Sequence, residues 1–197
     1  MKNILIIDTK AGNLFSLRAA IERLDFNVTI LEQPSNECFD AVVIPGQGRF
    51  GTVINNISKY QWPEYLKKSY ENNVPILGIC VGMQIFFEAS EEDPDVKGLC
   101  WFKGHAKALD FPKKPMVGWA KLTSQIKVYK NAVVYFVNSY AIKQNKNMIA
   151  ESSYGETFCA AVKKGSFTGV QFHPEKSSDL GSVILLEALT MSQQNDQ

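Results

Sequence analysis

Short apolar runs alternate with amphipathic stretches through the first half of the chain. The runs cover residues 3–8, 27–31, 40–44 and the segment that begins at Pro75, and each predicts a strand. The first lacks polar alternation, which is typical of a strand buried on both faces of a parallel sheet. Between these runs, apolar residues recur at helical spacing, which predicts helices over residues 13–24 (with Asn13 as N-cap), 50–57 and 62–71, and a further helix up to Glu88. Strands that alternate with helices predict right-handed crossovers and a doubly wound sheet.

The second half of the chain has a different pattern, in which short apolar segments are separated by glycine, proline and lysine. These segments predict strands over residues 98–102, 106–109, 117–123, 132–140, 148–153, 158–163 and 169–172, before a last helix over about 180–191. The fold class expected is therefore α/β, with an open, mixed, mainly parallel sheet flanked by helices. Nothing in the sequence reads as a linker, so residues 1–197 are expected to form one domain.

Composition excludes several classes of partner. The chain has 197 residues and a net charge of +1, so there is no electrostatic case for binding nucleic acid or an anionic membrane. No apolar run approaches the ~18 residues of a membrane span, and the apolar start is too short for a signal peptide. Four widely spaced cysteines without a CxxC pair argue against zinc and a disulfide framework. We expect a reducing, cytoplasmic location and no metal or other cofactor.

The strand from Pro75 ends at Cys80, which is flanked by Gly78 and Gly82. This Gly-x-Cys-x-Gly spacing resembles a nucleophile elbow with cysteine in place of serine. A side chain on a sharp strand-to-helix turn needs strained backbone, and glycine neighbours let the turn close. The N-terminus of the following helix would favour the thiolate. Cysteine is also a common core residue, so this stretch alone leaves an inert buried thiol open.

Two histidines are available as a general base. His105 lies in a polar stretch that reads as a surface loop or strand edge, whereas His173 follows a buried strand and precedes Pro174 and Glu175. The pKa of an unperturbed histidine suits proton transfer near neutral pH, and Glu175 can curl back to hold the imidazole tautomer. His173 alone could be an ordinary strand-end histidine. Together with Cys80 it predicts a catalytic triad.

A glycine-rich loop follows another buried strand at Pro45 to Gly51. Glycines there can turn backbone N–H groups into a pocket, where such donors form an oxyanion hole. An ordinary strand-to-helix turn is the alternative interpretation. A phosphate-binding P-loop is excluded because no Gly-Lys-Ser/Thr follows.

These three motifs together resemble the class I glutamine amidotransferases. They are Gly-Ile-Cys-Val-Gly-Met-Gln around Cys80, Pro-Gly-Gln-Gly-Arg-Phe-Gly from Pro45, and Phe-His-Pro-Glu-Lys-Ser around His173. Over nearly its full length the chain is similar to one branch, the glutaminase subunits of imidazole glycerol phosphate synthase. The resemblance implies a flavodoxin-like fold and a reaction in which Cys80 attacks the amide of glutamine, His173 transfers protons and Glu175 orients His173.

The resemblance also implies roles for residues outside the triad. Glutamine would be bound by Gln84, Glu92, Ser139 and Tyr140, and Gly46, Gln47 and Gly48 would stabilise the oxyanion. Ammonia would pass to a partner, a (β/α)8-barrel cyclase subunit, in a heterodimer that makes imidazole glycerol phosphate for histidine biosynthesis. Asn13, Trp119 and Lys176 would contact that partner. The glutaminase of this branch is weak until the partner is bound.

Several residues depart from the pattern of that branch. Met116 and Ala120 replace a histidine and an asparagine, Asn138 replaces a histidine, Lys10 replaces a glycine and Gln47 replaces a valine. None belongs to the triad, so the departures leave the glutaminase chemistry intact and bear on the partner. The alternative is a paralogue that feeds ammonia through a similar barrel to an amino- or amidino-sugar pathway for cell-surface polysaccharide.

The same architecture also occurs in proteins of another class, stress-response hydrolases and chaperone-like modules with an elbow cysteine. Fold alone does not separate them from amidotransferases. The late His173-Pro174-Glu175 segment and the Pro45 to Gly48 loop favour the amidotransferase.

Overall fold

Strands and helices alternate along the first half of the chain, as the apolar pattern predicts. A computed structural model describes residues 1–12, 14–111 and 113–190. The first-half elements are β1 (Asn3–Ile7), α1 (Phe15–Glu22), β2 (Asn27–Leu31), β3 (Ala41–Ile44), α2 (Phe50–Lys59), α3 (Trp62–Glu71), β4 (Ile76–Ile79) and the single turn α4 (Val81–Gln84). The predicted helix over residues 62–71 is confirmed residue for residue. Asn13, the predicted N-cap of the first helix, lies outside the described residues, and the helix itself begins at Phe15.

Strands dominate the second half. They are β5 (Ala89–Ser90), β6 (His105–Ala108), β7 (Met116–Lys121), β8 (Val133–Asn138), β9 (Tyr140–Ile142), β10 (Met148–Tyr154), β11 (Glu156–Lys164) and β12 (Phe167–Val170). A 3₁₀ turn over Pro174–Lys176 leads into α5 (Ser178–Thr190). Among the described residues, no helix is long and apolar enough to cross a membrane.

The main sheet has the order β10-β11-β12-β4-β3-β1-β2. From β12 to β2 the neighbouring strands are parallel, and β10 and β11 extend one edge antiparallel. The strands β3, β4 and β12 are buried at every residue because the sheet is covered on both faces. The expected mixed, mainly parallel sheet is therefore confirmed. Beside it lie a small sheet of β5, β6 and β9 and the hairpin of β7 and β8.

The sheet order explains where chemistry can occur. The strands β3, β4 and β12 are immediate neighbours and run in the same direction. Their carboxyl ends therefore meet at one edge, which is where open α/β sheets bind ligands. The loop after Ile44, the elbow after Ile79 and the segment after Val170 are brought together there although they are far apart in sequence.

Two sequence predictions are wrong for a shared reason. The helix after Cys80 ends at Gln84 rather than Glu88, and the segment 98–102 is not a strand. The carbonyls of residues 85–87 accept hydrogen bonds from the N–H groups of residues 99–102. Each segment satisfies the backbone of the other, so neither continues its own regular structure. A third difference is that Ser139 divides the predicted strand 132–140 into β8 and β9.

Candidate active site

Cys80 lies on a sharp turn between β4 and α4. Its backbone has φ 54° and ψ −115°, a conformation that non-glycine residues rarely adopt. Its N–H donates to the Val170 carbonyl at 2.7 Å, which ties the turn to the end of β12. The thiol side chain is buried, with 5% of the residue exposed. Such strain persists only where the surroundings impose it, and it is common at functional sites.

Glycines let the neighbouring segments pack directly on this turn. A Cβ on Gly82 would lie 2.1 Å from the Ile44 carbonyl oxygen, and one on Gly46 would lie 2.1 Å from the Ile79 carbonyl oxygen. Both obstacles are backbone atoms that cannot rotate away. The steric interpretation of the Gly-x-Cys-x-Gly spacing is thus confirmed, and the glycine-rich loop depends on the same close approach. The dipole argument is weaker than the sequence indicates, since α4 is a single turn.

His173 and Glu175 form a buried pair at the end of β12. The imidazole Nδ1 lies 2.8 Å from Oε1 of Glu175, and both side chains are at most 5% exposed. The His173 N–H donates to the Tyr135 carbonyl at 2.8 Å. The Ser177 hydroxyl donates to the His173 carbonyl at 2.6 Å. Because Nδ1 is engaged by the carboxylate, Nε2 is the ring nitrogen that remains for Cys80.

The environment raises the pKa of His173. Burial is the largest influence and opposes protonation, but hydrogen bonds to Cys80 and Glu175 and the negative charges of both groups together outweigh it. The pKa rises from 6.5 to about 10. The raised pKa makes the imidazole a stronger acceptor for the thiol proton of Cys80 than a free histidine would be. An imidazolium next to a cysteine favours the thiolate, which is the nucleophilic form.

A pocket of about 310 Å³ opens at this edge of the sheet. It has the size of a small-molecule site. Most predicted site residues border it: the lining includes Gly46, Gln47, Gly48, Cys80, Gln84, Glu92, Ser139, Tyr140, His173 and Lys176. Glu175 stands behind His173 rather than in the lining. The fold therefore gathers around one cavity most of the residues that the motifs and the family resemblance indicate.

Gln84 and Glu92 each have some of their hydrogen-bonding atoms already paired within the protein. The Gln84 amide nitrogen donates to the Tyr140 carbonyl at 3.0 Å and to Oε1 of Gln171 at 2.8 Å. Its carbonyl oxygen is left as an acceptor at the pocket. One carboxylate oxygen of Glu92 accepts from the Phe50 N–H at 2.9 Å and so caps α2. The other oxygen remains for a ligand.

The glycine-rich loop presents a carbonyl to the elbow. The Val81 N–H, the donor that follows the nucleophile in an elbow, lies 3.4 Å from the Gly46 carbonyl oxygen and donates to it. An oxyanion would need that N–H group for itself. The expectation that Gly46, Gln47 and Gly48 supply oxyanion donors stays a prediction.

Of the three predicted partner residues, Lys176 lines the pocket and Trp119 is connected to it through Tyr135. Trp119 is half exposed on β7, and its ring packs edge-on against Tyr135 with centroids 5.8 Å apart. The ammonium group of Lys176 lies 6.0 Å from the same tyrosine ring. Tyr135 thus connects a pocket residue to an exposed aromatic surface. Asn13 lies outside the described residues.

Two of the departures from the family pattern have a structural account. Lys10 adopts φ 53°, in the left-handed region where glycine carries no penalty, and its ammonium pairs with Asp8 at 3.0 Å and Glu32 at 3.1 Å. The Asn138 amide nitrogen donates to the Tyr140 carbonyl at 3.2 Å, beside Gln84. Lys10 is thus paired with two carboxylates, whereas Asn138 pairs through its amide nitrogen and its buried Oδ1 has no hydrogen-bond partner among the described residues.

Sequence reasoning missed Gln171 and Val137. The Gln171 amide nitrogen lies 3.5 Å from the Cys80 sulfur, and the sulfur lies 3.8 Å from the Val137 carbonyl oxygen. Gln171 is fully buried. A polar residue that continues a buried strand is itself a signal, because an amide is rarely buried without partners. The Val137 carbonyl has no counterpart in the sequence pattern.

Comparisons with known proteins agree with this geometry. Residues 5–190 match the family described as glutamine amidotransferase class-I. The chain is 34% identical over 194 residues to the imidazole glycerol phosphate synthase subunit HisH of Thermotoga maritima, covering 95% of this chain and 96% of that one. The chloroplastic imidazole glycerol phosphate synthase hisHF of Arabidopsis thaliana is 34% identical over 195 residues, which are 92% of this chain and 33% of that longer protein.

A solved structure shows that the fold is shared as well. A glutamine amidotransferase crystal structure superposes with a TM-score of 0.76 at 16% identity, covering 94% of this chain and 98% of the other. At that identity the likeness shows the fold alone. The family match and the relatives decide the rest: the chain belongs to the class-I glutamine amidotransferase family, among the HisH subunits of imidazole glycerol phosphate synthase.

Proposed function

We propose that this enzyme is the glutaminase subunit of an imidazole glycerol phosphate synthase, in which it hydrolyses glutamine and delivers the ammonia to a (β/α)8-barrel cyclase subunit in histidine biosynthesis. The observation that carries the proposal is the grouping of Cys80 with the His173–Glu175 pair at one pocket. The names of the relatives supply the pathway.

The geometry supports a thioester mechanism. The Cys80 thiol transfers its proton to Nε2 of His173, and the sulfur attacks the side-chain amide carbon of glutamine. The imidazolium then gives that proton to the departing nitrogen as the C–N bond breaks, which releases ammonia and leaves a glutamyl thioester. Water, deprotonated by His173, attacks the thioester and releases glutamate, and the sulfur regains its proton. Glu175 holds Nδ1 throughout.

Glutamine fits the polar groups left around the pocket. The free carbonyl oxygen of Gln84 and the second oxygen of Glu92 can accept hydrogen bonds from the substrate's α-ammonium group. The backbone at Ser139 and Tyr140 faces the same cavity and would hold its carboxylate. Before the tetrahedral intermediate forms, the Gly46 carbonyl must leave the Val81 N–H. This requirement predicts a weak glutaminase in the absence of the partner.

The partner would cover the pocket mouth at Trp119 and Lys176. Trp119 is an exposed tryptophan that packs on Tyr135, and tryptophan is a side chain enriched in protein interfaces. The Arabidopsis relative supports a tightly coupled partner, because a region similar to this chain forms one-third of a longer synthase. We further propose that residues 1–197 form a single domain, and that the protein acts in the cytoplasm, since its four cysteines are all free thiols.

The sugar-pathway alternative is not favoured. The curated relatives are named as HisH subunits of imidazole glycerol phosphate synthase, including those at 36–39% identity. Of the departures, Lys10 is paired with nearby carboxylates, and Asn138 forms a local hydrogen bond through its amide nitrogen. Neither observation favours a different acceptor for the ammonia.

Two measurements test the proposal. Cys80→Ala should abolish glutamate formation while the protein still binds its barrel partner, because the side chain lost is small and the role removed is chemical. Residual glutaminase above background in that variant would refute Cys80 as the nucleophile. Co-purification should then recover a barrel subunit, and a cyclase nucleotide should raise glutamine hydrolysis by the pair. Full activity of the isolated chain would contradict the need for a partner.

A further inference from the structure

Two buried amides form a continuous hydrogen-bonded chain that ends at the nucleophilic sulfur. The chain starts at the Tyr140 carbonyl, which accepts from the amide nitrogen of Gln84 at 3.0 Å. The same nitrogen donates to Oε1 of Gln171 at 2.8 Å. The amide nitrogen of Gln171 then donates to Sγ of Cys80 at 3.5 Å. Gln84 is 2% exposed and Gln171 is fully buried, so solvent does not compete for these bonds.

The first carbonyl dictates the orientation of both amides. A backbone carbonyl only accepts, so the group of Gln84 that faces Tyr140 must be its NH₂. The second proton of that NH₂ points at Gln171, which must therefore present its oxygen. The remaining end of the Gln171 amide, its NH₂ group, then faces the sulfur. A flip of either side chain would place like groups together, so the arrangement has one consistent assignment.

Besides His173, the sulfur has two polar neighbours, one that accepts and one that donates a hydrogen bond. The Val137 carbonyl, 3.8 Å away, accepts the S–H proton of the neutral thiol. The NH₂ group of Gln171, which faces the sulfur, can only donate. A hydrogen-bond donor stabilises a thiolate more than a thiol. Gln171 therefore favours the ionised sulfur and fixes its position through a contact separate from that of the imidazole.

We propose that Gln171 is a catalytic residue that holds the Cys80 sulfur and favours its thiolate, with its orientation set by Gln84 and the Tyr140 carbonyl. The proposal rests on the proposed role of Cys80 as the nucleophile. It gives Gln84 a second task besides binding glutamine: it is the positioning residue that keeps a donor, rather than an acceptor, aimed at the sulfur.

Thiol alkylation tests this without turnover. The isolated protein is treated with iodoacetamide, and modification of Cys80 is followed by peptide mass spectrometry between pH 5 and pH 10. Cys38 and Cys100 are exposed and serve as internal controls in the same molecule. Gln171→Met keeps the length of the side chain and removes the donor. We expect Cys80 alkylation at pH 7 to fall about ten-fold and its pH profile to move about one pH unit higher.

A double-mutant cycle separates orientation from simple packing. Gln84→Met does not remove a group that touches the sulfur, yet it should slow Cys80 alkylation several-fold because Gln171 loses its anchor. The double variant should be no slower than Gln171→Met alone, since both changes break one chain. Thr168→Val, a buried polar substitution on the same strand β12, is the matched control and should leave the profile unchanged.

The outcomes are decisive in both directions. An unshifted profile in Gln171→Met, or effects of the two variants that add, would overturn the proposal and leave Gln171 as a core residue that supports Gln84. If Gln171→Met does not fold, Gln84→Met carries the test alone, and an unchanged Cys80 profile in it refutes the relay. Glutaminase activity retained by Cys80→Ala would instead refute the proposed function, so the two failures are distinguishable.

Discussion

Substitution of Gly82 by alanine sets two physical effects against each other at the elbow. Gly82 lies inside the helical turn α4, where alanine is favoured over glycine by roughly 0.5–1 kcal/mol in helix propensity. A Cβ at this position would lie 2.1 Å from the Ile44 carbonyl oxygen and 3.1 Å from the Pro45 carbonyl oxygen. Propensity alone predicts a more stable protein, whereas packing predicts a less stable one.

The distances decide in favour of packing. Ordinary van der Waals contact for a Cβ begins near 3.4 Å, so the two segments must separate by more than 1 Å. The obstacle is backbone at the end of β3, which is buried and paired on both sides. Overpacking of this kind costs about 3 kcal/mol. After the gain in propensity, a net loss of about 2 kcal/mol remains, or roughly 4–8 °C in Tm for a chain of this size.

Urea unfolding at neutral pH measures the effect, with Asn55→Ala as the matched control. Asn55 is exposed in the middle of α2, so its replacement tests helix propensity without a clash and should stabilise by about 0.5 kcal/mol. Gly82→Ala should also lower glutaminase activity by more than ten-fold, because displaced α4 carries Gln84 with it. A Gly82→Ala protein as stable as the native one would refute the steric account of the elbow.

Three further predictions concern groups that hold the site together. Because folding raises the pKa of His173, the protonated imidazole stabilises the folded state; this stabilisation is complete below about pH 6.5 and is lost as the pH passes about 10. The difference in unfolding free energy between the native protein and His173→Gln should therefore narrow from about pH 6.5 to about pH 10. A difference that stays constant would contradict this account. Asp93→Ala should cost about 1 kcal/mol in urea unfolding because its carboxylate accepts from the Gly51 N–H at 2.9 Å, and Asp93→Asn, which keeps an acceptor, should cost less. Ser177→Ala should cost about 1–3 kcal/mol, since it leaves the Tyr135 N–H without its 3.0 Å acceptor, and it should lower kcat by loosening the His173 segment; an unchanged thermal midpoint would count against this.

The layered part of the fold is readable from the sequence because burial on two faces leaves a plain signal. The runs at 3–8, 40–44 and 75–79 are apolar apart from polar residues at their ends, and each contains a strand of the sheet interior, whereas 27–31 includes Asn27 and Thr29 and forms the partly exposed edge strand β2. The local backbone at the proposed triad was also predictable, since glycine spacing at Cys80 and a proline after His173 restrict the backbone there. In both cases the cause lies within a few residues of its effect.

The errors arise where a segment's structure depends on a distant partner. The apolar pattern after Cys80 continues to Glu88, and nothing local ends the helix at Gln84. The helix ends because residues 99–102 supply N–H donors to the carbonyls of residues 85–87. Periodicity reports which side chains are buried and says nothing about which backbone groups find partners. A pairing of this kind can therefore be seen only in three dimensions.

Gln171 marks the boundary between what its sequence neighbours determine and what the fold determines. It stands between Val170 and Phe172, in a run that predicts complete burial, and a buried amide requires partners for its donor and its acceptor. Its position in that run is therefore enough to indicate a polar network. The direction of the amide is not encoded there, because the Tyr140 carbonyl that sets it belongs to a strand 31 positions earlier, and the break at Ser139 has no signal in the apolar pattern. The sequence can therefore nominate such a residue, whereas the choice between a donor and an acceptor at the sulfur depends on the fold.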